Sequence, residues 1–206
     1  MVGALISSDA PFCIGTRHGW QPVGEPMTIT KSVDGRVFSL DGRPALDAYL
    51  DRLVAPAEAY TDLAAFRAFA ATRPLSIKRR TGGEVRGVDA QPDFANRSLS
   101  CSGELPQGGQ AWAMRGDTSS VIAATREACD EAMGVLGDRR PIAVMAFDCL
   151  GRYLALGDAG IKEELSIIAE SAGGAALSGL YTYGEIARTR GMHGYHHMTL
   201  VVLAIA

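Results

Sequence analysis

Apolar and polar residues alternate along the chain in two rhythms, and where the rhythm changes the elements change. Apolar residues at 2–6 and from Phe12 to Gly15 predict two short strands joined around Ser7-Ser8-Asp9-Ala10-Pro11. The Gly- and Pro-punctuated stretch from His18 to Pro26 must be loop. Met27 to Lys31 and Arg36 to Leu40 then flank Asp34-Gly35, a dipeptide suited to the positive φ angles of a tight hairpin. Leu46, Tyr49, Leu50 and Leu53 recur at helical spacing, with Asp41 placed to cap that helix, Pro44 in its first turn and Pro56 beyond its end. A second, shorter helix is expected over Tyr60 to Ala71, closing before Pro74.

From residue 75 the period shortens. Leu75 to Lys78, Val85 to Ala90, Ser98 to Gly103 and Gln110 to Met114 read as strands of a meander. Asp117 then caps a long helix with Ile122, Thr125, Cys129, Met133 and Leu136 on one stripe, and Gly137 supplies its left-handed stop. Pro141 to Phe147 is an unbroken apolar run, as in a strand covered on both faces. A helix over Ala159 to Ala172 turns Ile161, Leu165, Ile168 and Ala169 inward and ends at Gly173-Gly174. Strands over Leu177 to Ala187 and Met198 to Ile205 close the chain, joined by the loop Arg188 to His197. This order predicts an α+β fold with a mixed, mainly antiparallel sheet packed with helices, and not a doubly wound one.

Composition adds limits. At 206 residues, 47% hydrophobic and 21% charged, the chain has enough apolar side chain for a real core. Its 20 basic and 23 acidic residues leave a net charge of -3, which offers no positive field for nucleic acid. The densest basic run, Lys78-Arg79-Arg80, reads as solvated loop before Thr81-Gly82-Gly83. Cys13, Cys101, Cys129 and Cys149 are too scattered for a zinc ribbon or a disulfide scaffold. Leu200 to Ala206, the longest strong apolar run, is far shorter than a membrane span. With no basic n-region ahead of Asp9 and free thiols throughout, a cytoplasmic location is expected.

Five segments carry a resemblance: His18-Gly19-Trp20 with Pro22-Val23-Gly24-Glu25-Pro26, Asp41-Gly42-Arg43-Pro44-Ala45-Leu46, Phe147-Asp148-Cys149-Leu150-Gly151-Arg152, Tyr181-Thr182-Tyr183-Gly184-Glu185-Ile186, and Tyr195-His196-His197-Met198-Thr199-Leu200. Together and in this order, over nearly the whole chain, they look like the FIST family, a ligand-sensing module of bacterial signalling proteins that also occurs in some F-box proteins. The resemblance implies that residues 1–40 are the tail of an N-terminal FIST half and residues 41–206 the FIST C-terminal domain, with about 150 residues of a full FIST region missing upstream. It also implies a sensory function with an amino acid or similar metabolite as ligand, and no cofactor. Where the family commonly has an amide after the histidine of the last motif, His197 stands here, which puts any contact made by that amide in question. As partners, the resemblance points to the small-molecule ligand and to a homodimer or an upstream FIST half, and in F-box relatives to recruitment of other proteins; neither nucleic acid nor membrane is expected.

The residues named for a ligand site are Cys149, Arg152, Tyr183, Gly184, Glu185 and His196. A zwitterion needs a cation for its carboxylate and an anion for its ammonium. Arg152 and Glu185, each read as ending an apolar strand, offer both; alternatively they pair with each other. Cys149 is a nucleophile or sensor thiol if Arg152 lowers its pKa, and otherwise a small buried hydrophobe. No nucleophile-elbow or oxyanion pattern supports a Cys149 pair with His193, His196 or His197, so an enzyme is not expected. His196 and His197, adjacent on a strand, would face opposite ways and cannot readily share a metal ion; one hydrogen-bonded to backbone is the simpler role. Tyr181 and Tyr183, two apart, line a pocket or pack the sheet. The Gly-Gly pairs lack any phosphate-binding motif.

Overall fold

The computed structural model describes residues 5, 7–79, 82–89, 91–188 and 194–206. His193 and nearly all of the strand expected at residues 2–6 lie outside the described residues. In chain order the elements are β1 (Phe12–Arg17), β2 (Gln21–Pro22), β3 (Met27–Val33), β4 (Arg36–Leu40), β5 (Arg43–Pro44), α1 (Ala45–Arg52), a 3₁₀ turn (Ala57–Tyr60), α2 (Leu63–Ala70), β6 (Leu75–Arg79), β7 (Gly82–Arg86), β8 (Leu99–Ser100), β9 (Gln110–Arg115), α3 (Thr118–Gly134), β10 (Ala143–Cys149), α4 (Leu150–Ala172), β11 (Ala176–Thr182), β12 (Glu185–Ile186), β13 (Tyr195–His196) and β14 (Leu200–Ile205). The fold is α+β, with mixed, mainly antiparallel sheets.

One sheet runs β5-β4-β3-β9-β6-β7, with β2 against β9 and β8 against β4. Asp34 and Gly35 both have positive φ, as the β3–β4 hairpin requires. The expected meander is interrupted, because β9 inserts between β3 and β6. Leu40, Leu46, Tyr49, Leu50, Phe66, Phe69, Leu75 and Ala111 fill the core between this sheet and helices α1 and α2. Asp41 does not cap α1: it sits in a second positive-φ turn, its Oδ1 accepts from the Thr28 N–H, and Pro44 ends β5 immediately before the helix. The basic run is largely strand, since β6 continues through Arg79 and β7 begins at Gly82.

The other sheet runs β1-β14-β10-β11. All its pairings are antiparallel except β10 with β11, which are parallel and connected through α4. Parallel neighbours need such a crossover, and a helix is its usual form. Against one face pack α3 and α4, burying Cys13, Val121, Ile122, Cys129, Leu136, Val144, Ile167, Ile168, Leu200, Val202 and Ala204. The α3 start follows expectation: Asp117 accepts from the Ser120 N–H while the Ser120 hydroxyl accepts from the Asp117 N–H.

α4 departs from the sequence reading at both its start and its face. It begins at Leu150, directly off β10, and bends at Gly157, whose φ of 60° and ψ of -179° lie in a region open essentially to glycine alone. Its buried stripe is Gly160, Glu164, Ile167, Ile168 and Ala172, about one residue round from the stripe predicted. Leu165 is more exposed than buried, and a glutamate takes the inward position.

Candidate functional site

The parallel pair brings two strand ends together at one sheet edge. β10 and β11 both end at the same edge, at Cys149 and Thr182, and ligands of parallel α/β units bind outside the carboxyl ends of their strands. Cys149 is at once the last residue of β10 and the N-cap of α4, and its N–H reaches Asp148 Oδ1 at 3.0 Å and the Thr199 carbonyl at 3.2 Å. Beyond β11, Tyr183-Gly184 turns the chain into β12, where Glu185 pairs with His196 of β13. His197 and Met198 return to β14, Met198 taking the left-handed conformation at φ 55°. The Trp20 indole N–H, fully buried, donates 2.8 Å to the Met198 carbonyl and ties the turn to the loop after β1.

Arg152 lies in the first turn of α4, not at a strand end, and faces inward. It is 0% exposed, and its guanidinium is committed to the protein's own groups. Nε donates to Asp148 Oδ1 at 2.7 Å, one terminal nitrogen to the His18 carbonyl at 2.9 Å, and the other to Thr125 Oγ1 at 2.8 Å and Glu164 Oε1 at 2.5 Å. The Thr125 hydroxyl also lies 2.8 Å from Glu164 Oε1. One cation thus joins β10, α3, α4 and the loop after β1. It neither pairs with Glu185 nor presents a free fork to a ligand. Two carboxylates share this single guanidinium. Burial lifts the Asp148 pKa to about 8, with Glu164 adding to the rise and Arg152 opposing it. His18 is held neutral, its pKa lowered to about 4 by burial and then by Arg152, and its Nδ1 accepts from the Trp20 N–H.

Glu185 is buried beside Cys149. Its Oε1 accepts from the Thr182 hydroxyl at 2.5 Å, while Oε2 has no hydrogen-bond partner among the described residues. Burial raises its pKa to about 7, partly opposed by the Thr182 hydroxyl and the Cys149 thiol. The same burial, followed by the Glu185 charge, pushes Cys149 up to about 11, so this thiol stays protonated at neutral pH. His196 Nε2 lies 2.9 Å from the Ala187 carbonyl. His197 is buried, its Nε2 has no hydrogen-bond partner among the described residues, and burial followed by the Arg86 charge lowers its pKa to about 4. Its ring meets Tyr195 edge to face, with centroids 4.3 Å apart.

Cys149, Leu150, Gly151, Leu154, Tyr183, His197 and Met198 enclose a cavity of about 180 Å³ together with Gly87 and Ser102, which follow β7 and β8. It therefore lies where the two sheets meet. Tyr183 is 86% exposed at its rim. Gly184 faces away from it: a Cβ there would come within 3.0 Å of the Tyr195 ring, so this glycine lets Tyr195 close over the turn. Tyr181 packs edge to face on Tyr153 at 4.9 Å.

A family model of the FIST C domain matches residues 45–188, and one of the FIST N domain matches residues 1–43. The chain belongs to the FIST family. FIST domains are generally taken as sensory modules of signal transduction. No curated protein and no solved structure matches the chain. Among the described residues of this FIST chain, no helix is long and apolar enough to cross a membrane, and no group of three or more His, Cys, Asp or Glu is placed to hold a metal ion.

Of the residues the sequence singled out, the FIST fold brings Cys149, Tyr183 and Glu185 to one edge, keeps His196 next to Glu185 in the β12–β13 pair, and withdraws Arg152 into the core. His197, Asp148, Glu164, Thr125 and the His18 carbonyl were not assigned to a site. Glu164 left a signal: it lies four residues from both Gly160 and Ile168, on what proves to be the buried stripe. The other partners of Arg152 left none, since they come from three separate elements.

Proposed function

We propose that this FIST protein is a sensory module that binds a small metabolite, an amino acid or a compound of that size, in the cavity beside Cys149. The observation that carries the reading is a buried polar atom of the cavity lining, His197 Nε2, without a hydrogen-bond partner among the described residues; Glu185 Oε2, likewise without one, belongs to a side chain beside the cavity-lining Cys149. Buried polar groups ordinarily find partners, so atoms left without one favour a ligand that supplies them. Glu185 would take an ammonium and neutral His197 a polar oxygen or N–H, while Leu150, Leu154 and Met198 supply the apolar wall. With Arg152 committed elsewhere, the positive charge that acts on His197 is Arg86, next to the cavity-lining Gly87 and itself paired with Glu84 at 2.7 Å. Cys149 packs as a protonated thiol, which favours binding over thiol catalysis. Isothermal titration with the standard amino acids and related metabolites tests the reading. Saturable binding that Glu185→Gln and His197→Phe each weaken about tenfold or more supports it, a loss of about 1.4 kcal/mol apiece; no binding by any of them refutes it.

A second reading, recruitment of another copy or another protein, is favoured by β11. It is one of the two outer strands of its sheet and is exposed along most of its length, with Leu177 and Leu180 partly open to solvent. Open edges of this kind accept a further strand. Light scattering at high protein concentration distinguishes the cases: a homodimer broken by Leu180→Lys supports self-association, and a monomer throughout counts against it.

A further inference from the structure

A second recess, lined by other residues than the Cys149 cavity and independent of the reading above, lies between α4 and strands β10 and β11. It has a volume of about 300 Å³, the lower end of the range for small-molecule sites. Its walls are apolar: Leu165 and Ile168 from α4, Ala146 from β10, Leu177 and Leu180 from β11. Two acids, Asp148 and Glu164, also line it, both nearly fully buried.

With both acids ionised the charge count in this recess is unbalanced, and burial offsets this by keeping a proton on Asp148 up to about pH 8. Asp148 and Glu164 bring two carboxylates and Arg152 one guanidinium, and Arg152 binds one oxygen of each. Asp148 Oδ1 already accepts from both Arg152 Nε and the Cys149 N–H, whereas Asp148 Oδ2 is buried and has no donor among the described residues. A second cation with N–H donors, arriving along the recess, would take the place of that proton, satisfy the oxygen and balance the carboxylate left behind. An anion would meet the Glu164 charge, and a neutral apolar molecule would offer Oδ2 no donor.

We infer that this recess is a binding site for an amphipathic cation, a primary ammonium carried on a short apolar chain, whose head donates to Asp148 Oδ2 and whose chain lies between Leu165, Ile168 and Leu177. The chemistry resembles that of other buried ammonium sites: the apolar walls exclude water from the charge pair and so strengthen it.

The test titrates the full chain with n-octylamine, n-octanol and octanoate in turn, by isothermal titration calorimetry or ligand-observed NMR. The inference expects octylamine to bind at least about tenfold more tightly than octanol, and octanoate to bind more weakly than either. Asp148→Asn, which keeps an oxygen acceptor for Arg152 but removes the charge, should weaken octylamine about tenfold and leave octanol unchanged. Leu165→Trp, a change at the exposed rim that leaves the acids intact, should weaken all three ligands. Equal affinity for amine and alcohol, or octylamine binding unaltered in both variants, would overturn the inference. If Asp148→Asn fails to fold, the Leu165→Trp protein and the comparison of the three head groups still decide it. A loss of amino-acid binding at the Cys149 cavity has no bearing on these outcomes, so the two sites fail or stand separately.

Discussion

Replacing Arg152 with methionine would remove the one cation from a cluster that holds two buried carboxylates. The side chain is wholly inaccessible, and its charge-assisted bonds to Asp148 and Glu164 measure 2.7 and 2.5 Å. Each such bond contributes about 1.5–3 kcal/mol, and breaking a buried pair by deleting one partner costs about 3–5 kcal/mol in measured cases. Both routes place the loss for Arg152→Met near about 4 kcal/mol, a large share of the about 5–15 kcal/mol that holds a typical domain folded. Methionine replaces most of the buried volume, so the lost charge and not a cavity dominates. Urea denaturation followed by far-ultraviolet circular dichroism measures it. The triple variant Arg152→Met, Asp148→Asn, Glu164→Gln should recover most of the loss, because no unpaired charge remains. A loss below about 1 kcal/mol, or no recovery in the triple variant, would refute the view that Arg152 is an internal strut. Should stability hold while small-molecule binding disappears, Arg152 would instead be the ligand anchor that its sequence position suggested.

Three further outcomes follow from the same structure. Gly157→Ala should cost about 1–3 kcal/mol because its conformation excludes a Cβ, whereas Gly134→Ala, at the open end of α3, should be neutral or stabilising by up to about 1 kcal/mol; equal effects of the two would contradict the bend at 157. Stability should fall as pH rises from about 6.5 to 8: Asp148 and Glu185 keep protons in the folded state up to about 8 and 7 that the unfolded chain has already released, and the two histidines lowered to about 4 no longer compensate above their ordinary value of 6.5. Denaturation at pH 5, 6.5 and 8 measures this, and Asp148→Asn should flatten the decline; a rise between 6.5 and 8 would be inconsistent with these shifts. Cys149 should resist alkylation in the native protein at pH 7.5 and react only on unfolding, and rapid native labelling at this position would disprove its buried, protonated state.

Local signals in the sequence translated faithfully where the structure is itself local. The Asp34-Gly35 turn, the Asp117 cap and the stripe through Ile122, Thr125 and Cys129 need only neighbours in the chain to define them. Signals misled where tertiary packing competed with them. Asp41-Gly42 looks like the approach to a helix but forms a hairpin turn, because Leu40 pairs with Arg43. Leu150-Gly151-Arg152 looks like the end of a strand, yet α4 starts there without a linker. The stripe of α4 was placed one residue off because Leu165 borders an open recess and Glu164 points inward, which reverses the usual rule for a helix face. The insertion of β9 between β3 and β6 joins segments over eighty residues apart, and no local pattern encodes it. At the site, Cys149 and Glu185 could be named from their motifs. The fate of Arg152 could not, since Thr125, Glu164 and the His18 carbonyl reach it only through the assembled sheet and helices.

The central claim is that a small metabolite occupies the cavity between the two sheets, and filling that cavity tests it most directly. A side chain at Gly87 would start 3.4 Å from Ser102 Oγ and 3.7 Å from Met198 Sδ, ordinary contacts, so Gly87→Leu can enter the space without straining the backbone. Isothermal titration of the wild-type and Gly87→Leu proteins with the same amino acids and related metabolites should show binding in the first and a loss of at least about tenfold in the second, with unfolding curves alike to within about 1 kcal/mol. Binding of equal strength to both proteins, or to neither, would contradict the claim.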